Sequence, residues 1–382
     1  MNHFDQILKA SIFTPTMRGW GLPIMLEGRM GIGKSSRVRA LAAAYGLECK
    51  TVSPALSGEA AFGAVPVPTT TEGGMYLDCP APYWLHGFED GVLLIDEVGS
   101  APEHLLPPLL SVLVEGVVGG GHVIPGRVRI LGATNPERMS VNGSRLAPNV
   151  TCRFGWVDAN IDDSSAAAAS LGDWLTTSAS GATAKVSSAI AEEARVLDAW
   201  PLAFAKAAGG AKGFFKARPD LVEAYKEGAR VWPNPRAWET AVRAHASSMV
   251  HGLDGAAEAA FIGAFIGEGA AQEYLTFASQ SDIPDPDTIL FGDAQIAWDR
   301  KRQDKAYAAV GACVSRLASM AGDPSRAELG GERLLTLLAG APSVFADLVV
   351  TSAVQVQGLD IRIDPKLIIA VGGVSKNALR GK

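Results

Sequence analysis

The chain has 382 residues, too many for one ordinary compact domain, and its 48% hydrophobic and 19% charged residues are the balance of a folded chain, which excludes a disordered one. A formal net charge of −6 excludes a global positive field that would hold a phosphate backbone by counterion release. Cys49, Cys79, Cys152 and Cys313 stand far apart with no C-x-x-C pair, so spacing indicates neither a disulfide framework nor a zinc knuckle, and a reducing cytoplasm is expected.

The first ten residues include Asp5 and lack a basic-then-apolar progression, so no secretory signal is expected. The most apolar stretches are interrupted by Glu258 and Glu268, or by Pro342 and Asp347, before reaching the roughly 18 residues of a membrane span. Five short apolar runs then predict buried parallel strands alternating with helices: Pro23 to Leu26, Cys49 to Val52, Val92 to Ile95, Val128 to Ala133 and Phe154 to Val157. Leu105, Leu109 and Leu113, with Leu106 and Leu110, predict a helical face packed on that sheet. Residues 162–188 are rich in Ser, Ala, Thr and Gly and read as a linker. Helical spacing without a convincing strand covers Ala189 to about Tyr274. After a turn at 281–286, helices are predicted from Gln295 to Met320 and from Gly331 to Val350.

Between the first strand and the first helix of this α/β pattern, residues 28–35 read Gly-Arg-Met-Gly-Ile-Gly-Lys-Ser, the P-loop pattern G-x-x-x-x-G-K-[ST] in its required context. Gly28, Gly31 and Gly33 let the backbone curl so that amides, including that of Ile32, point at a phosphate in front of a helix N-terminus. Lys34 is then expected to reach the β- and γ-phosphates of ATP, Ser35 to ligate Mg²⁺, and Ser36 to complete the loop. The run Val92 to Ile95 ends in Asp96 and Glu97, where a parallel sheet opens its ligand crevice. Asp96 is expected on the metal side, and Glu97 as the base that orients the attacking water. The next strand ends in Thr134-Asn135-Pro136, and the neutral amide of Asn135 can position a water or a γ-phosphate oxygen.

With these three motifs in this order, the sequence resembles the AAA+ superfamily and, more narrowly, its MoxR-like branch, over roughly Ile7 to Tyr274. The resemblance implies a P-loop NTPase parallel-sheet module at 1–161, an α-helical lid at 189–275 and a helical C-terminal extension at 276–382. It also implies a homo-oligomeric, hexameric ring. Arg153, in the Arg153-Phe154 pair, is the implied finger entering a neighbour's site, with Arg145 as the nearby alternative; the family's acidic residue before the finger is Cys152 here. Arg236, following Pro235 at a helix start, is the implied nucleotide sensor of the lid. The segments Phe62 to Tyr76 and Gly116 to Arg127 sit where the branch places pore-facing hairpins.

The implied activity is ATP hydrolysis that remodels a partner protein, commonly one with a von Willebrand factor A domain. Two rivals follow from the same residues. One is a nucleic-acid motor, against which the acidic balance counts, although Arg127, which ends the second hairpin segment, and Arg129 just after it are local cations. The other is an assembly switch with little turnover, against which Glu97 and Asn135 together count.

Overall fold

A computed structural model describes residues 3–139 except 64 and 72, then 146, 148–160, 188–280, 283–359 and 361–380. Arg145 and nearly all of the predicted linker lie outside the described residues. All five predicted strands occur within one residue of their expected ends: β1 (Ile24–Glu27), β2 (Glu48–Val52), β3 (Gly91–Ile95), β4 (Val128–Thr134) and β5 (Gly155–Asp158). They form one wholly parallel sheet in the order β5-β1-β4-β3-β2. β3 and β4 are buried at every position, the state that near-continuous apolar runs encode. Chain order reverses about β1, whose sequence successor β2 lies at the far edge while β5 lies beside it. The carboxyl ends of β1, β4 and β3 are therefore neighbours.

One face of this sheet carries a core that joins Met25, Leu93, Ile95 and Ile130 to Leu109, Val112, Leu113 and Phe154. The predicted leucine face is there, with Leu105, Leu109 and Leu113 buried. Its helix changes winding along its length: a 3₁₀ turn over Glu103–Leu105 precedes an α segment at Leu106–Leu110 and a π turn at Ser111–Glu115. Two antiparallel hairpins follow the predicted insertions, Val67–Thr71 with Gly74–Asp78 and Val117–Val118 with His122–Val123. They are tied together where His122 Nε2 lies 2.8 Å from the Cys79 carbonyl.

Arg129 is not the local surface cation that the sequence suggested, and Arg127, although exposed, is paired. Arg129 is wholly buried and donates to Asp90, Glu193 and the Arg127 carbonyl. Arg127 pairs with Asp90 at 2.8 Å and Glu193 at 2.9 Å. The reason is positional: both arginines stand at the amino end of β4, and two carboxylates face them there.

The chain divides into two compact units, Met1–Val196 with Lys226–Trp232 and Leu253–Phe265, and Leu197–Tyr225 with Pro233–Gly252 and Ile266–Lys382. The first holds the sheet. The regular elements of the second are all helices among its described residues, and one core gathers Leu290, Val310, Cys313, Leu334, Phe345 and Val349. A second aromatic cluster packs Phe214, Trp238 and Tyr274 with ring centroids 5.5 to 5.6 Å apart. The helices after residue 291 differ from the periodicity reading: the α-helices run Gln303–Ala318, Pro324–Ala339, Ala346–Gln357 and Pro365–Arg380. Gly340-Ala341-Pro342 ends a stretch that apolar spacing alone would continue, because proline cannot supply the next helical N–H. Among the described residues no helix is long and apolar enough to cross a membrane.

Candidate functional site

The P-loop curls over the carboxyl end of β1 and enters α1 (Lys34–Ala44) directly. Gly31 at φ 79° and Gly33 at φ 86° occupy the left-handed region, which a side chain would strain. Gly28 sits in a tight place, where a Cβ would lie 2.5 Å from Ile32 Cδ1 and 3.2 Å from Ala159 Cβ and would make the Ile32 side chain shift. No side chain caps the first turn of α1, leaving backbone N–H groups for a ligand of negative charge. Ile32 is half-buried and Ser36 is exposed.

Lys34 is only 8% exposed. Its ammonium donates to Gly28 O at 2.6 Å, Arg29 O at 3.0 Å and Asn135 Oδ1 at 2.9 Å. Burial pulls its pKa below the ordinary lysine value, opposed by the charges of Asp96, Glu27 and Glu97. Ser35, in the same first turn, donates its hydroxyl to Asp96 Oδ2. Asp96 is placed by strand pairing, for its N–H continues the β3 ladder to Val52 O at 2.8 Å. Its other carboxylate oxygen accepts from Glu97 N at 2.9 Å.

Glu97 is exposed, at φ 57° and ψ 40°, the one non-glycine residue with positive φ among those described. Such a conformation persists only where the surroundings enforce it, and it is concentrated at functional sites. Asn135 leaves β4 with its amide on Lys34. The Thr134 hydroxyl beneath it accepts from Gly99 N at 3.2 Å, tying the loop after Glu97 to the end of β4. Lys34 thus meets Asn135, and its neighbour Ser35 meets Asp96, through direct hydrogen bonds, with Glu97 adjoining Asp96.

These residues suit a nucleotide and its metal. A hydroxyl and a carboxylate already in contact are hard oxygen donors, and Mg²⁺ asks for one or two such protein groups beside phosphate oxygens and water. Arg153 is half-buried just before β5, with its N–H on Val150 O at 3.2 Å. Arg236 belongs to the second unit, exposed in the first turn of the helix Pro235–His251. That helix is capped by the Asn234 side chain, which accepts from Ala237 N at 3.0 Å.

Two residues that the motif reading missed border the site. Glu27 ends β1 directly before Gly28, and its carboxylate is held by Arg230. The Arg230 guanidinium lies 4.9 Å from the centre of the Trp156 ring. Both line an open cleft that also includes Thr134, Asn135, Glu137 and Thr151. Glu27 could have been suspected as a charge at the end of a buried strand. Arg230 lies 203 positions away in a segment with no motif.

Compared with known proteins, the chain matches no family model and no curated protein. Among solved structures, a candidate ATPase from Cytophaga hutchinsonii aligns with a TM-score of 0.41 and 13% identity, covering 70% of this chain and 77% of that one.

Proposed function

We propose that this protein binds Mg²⁺-ATP at the P-loop and hydrolyses it, as a MoxR-like AAA+ ATPase working in a homo-oligomeric ring. The observation that carries the reading is the buried Lys34 ammonium, held between two P-loop carbonyls and Asn135, with Ser35 bonded to Asp96 beside it. An ammonium held only by neutral oxygens can turn to an arriving phosphate without leaving a carboxylate unpaired.

In this reading Gly28 to Ser36 bind the phosphates, and Ser35 and Asp96 hold Mg²⁺, which supplies charge neutralisation on the phosphoryl oxygens. Glu97 accepts the proton of the attacking water, and Asn135 fixes that water's position. Arg153 of a neighbouring subunit completes the site, with Arg145 as the alternative finger. Arg236 senses nucleotide from the lid. The divisions that go with it are a module at 1–161, a linker to 188, a lid at 189–275 and an extension at 276–382. The two hairpins are candidate contacts for a protein substrate, and a partner with a von Willebrand factor A domain is the natural target of remodelling. Burial of Arg129 and the pairing of the exposed Arg127 with Asp90 and Glu193 weaken the case for a nucleic-acid motor, so the remodelling reading is preferred.

The test is ATP turnover against protein concentration, with mass measured in parallel, for wild type, Lys34→Ala and Arg153→Ala. Specific activity should rise with assembly. Lys34→Ala should lower it by at least about a hundredfold, and Arg153→Ala by about a thousandfold or more with the ring intact. Turnover independent of concentration and of Arg153 would sink the shared-site ring. A wild type without nucleotide-dependent activity would sink the ATPase.

A further inference from the structure

Glu27 poses an electrostatic problem that the P-loop motif does not contain. Its carboxylate sits one residue before Gly28, whose carbonyl accepts from Lys34 at 2.6 Å, and it is among the negative charges that act on that ammonium. A nucleotide triphosphate must bring its own negative charge to the same place. Left alone, Glu27 would repel it, and the repulsion would act through a partly buried, weakly screened medium.

Arg230 stands where it removes that repulsion. Its guanidinium donates to the Glu27 carboxylate while lying over Trp156, so an aromatic face on β5 fixes its position. Arg230 belongs to a seven-residue segment, Lys226–Trp232, grouped with the sheet unit, while the residues on both sides of it in sequence belong to the helical unit. Its ion pair and its ring contact are both with the strands that flank the P-loop. The cleft it lines reaches Thr134 and Asn135, the residues that end β4 beside Lys34.

We propose that Arg230 is a positioning residue of the nucleotide site, acting through Glu27: it neutralises the carboxylate at the root of the P-loop so that the loop accepts the full charge of a nucleoside triphosphate. This rests on the ATP-binding reading above and adds a discrimination to it. The effect scales with ligand charge, so Arg230 favours the triphosphate over the diphosphate.

The experiment is equilibrium binding of Mg²⁺-ATP and Mg²⁺-ADP to the full chain, under conditions of negligible turnover, for wild type, Arg230→Gln, Glu27→Gln and the double variant. Arg230→Gln should weaken ATP binding about fivefold and ADP binding about twofold. The double variant should return to within about twofold of wild type, because removing the carboxylate removes the need for its partner. Arg230→Lys keeps the charge and should bind ATP nearly as wild type, which keeps the test valid if Arg230→Gln folds poorly. Unchanged affinity in Arg230→Gln would overturn the proposal. So would equal losses for ATP and ADP without rescue in the double variant, the mark of a merely structural ion pair. A wild type that binds neither nucleotide would instead overturn the nucleotide site itself.

Discussion

Two buried cations in the sheet unit are held in opposite ways. Lys34, 8% exposed, gives its three hydrogen bonds to neutral oxygens, two carbonyls and an amide. Arg129, with no exposure, gives its bonds to the carboxylates of Asp90 and Glu193 and to one carbonyl, and its Nε finds no partner among the described residues. Both are placed by β4, Arg129 near its amino end and Lys34 through Asn135 just past its carboxyl end. Neutral acceptors satisfy an ammonium without neutralising it, so its charge remains available to a phosphate. Carboxylates neutralise a guanidinium and cannot let it go without leaving buried charges unpaired. The first arrangement makes a binding site and the second makes a foundation.

Breaking the foundation should have the largest effect on stability. Glu193 is nearly fully buried and receives both Arg129 and Arg127, and it lies early in the helix Ala189–Ala217. Glu193→Ala leaves Arg129 with Asp90 as its one carboxylate partner, and removal of one partner from a buried ion pair costs about 3–5 kcal/mol. Urea unfolding should show this loss with little change in the m-value. A loss below about 1 kcal/mol would mean that Asp90 suffices, and the contrast with Lys34 would fail.

A third buried basic group sharpens the comparison by being kept neutral. His245 in the helical unit places Nδ1 2.7 Å from the Tyr274 hydroxyl, which itself donates to Ala207 O at 3.1 Å. Burial lowers its pKa from 6.5 to about 4. Because the folded pKa lies below the unfolded value, the unfolded chain binds more protons between these limits. The stabilisation is complete above about pH 6.5, falls as the pH drops, and is lost by about pH 4, a total of roughly 3 kcal/mol. Denaturation measured from pH 7 to pH 4 should be steeper for wild type than for His245→Gln. Equal slopes would show that His245 titrates normally.

Much of the sheet unit was legible because each buried parallel strand is a short apolar run bounded by polar residues, and the P-loop glycines carry a backbone requirement that few other motifs share. Chain order then brought Asp96 and Asn135 to Lys34, since β1, β4 and β3 are neighbours. Arg129 was misread because its surroundings are set by Asp90 and Glu193, 39 and 64 positions away, and no local pattern encodes such a partner. The same holds for Arg230 and Glu27. In the helical unit, apolar spacing ran through Gly340-Ala341-Pro342, where the break is a matter of backbone chemistry that periodicity does not register.

The smallest effect tests where local reading runs out altogether. The chain contains two Asn-Pro pairs of interest, Asn135-Pro136 and Asn234-Pro235, and the dipeptide alone is only a turn or helix-start signal. In the structure the Asn135 amide oxygen accepts from Lys34 at 2.9 Å, whereas the Asn234 amide oxygen accepts from Ala237 N at 3.0 Å as a helix cap. Asn135→Ala should therefore lower ATP turnover about tenfold or more, the equivalent of one lost hydrogen bond of roughly 1.4 kcal/mol, while the unfolding midpoint hardly moves. Asn234→Ala should do the reverse to stability, costing about 1 kcal/mol as a lost cap. Measuring both variants by turnover and by urea unfolding separates the two roles. If Asn135→Ala were the destabilised protein with normal turnover, its contact with Lys34 would be scaffolding, and the distinction between binding site and foundation would have to be redrawn at the end of β4.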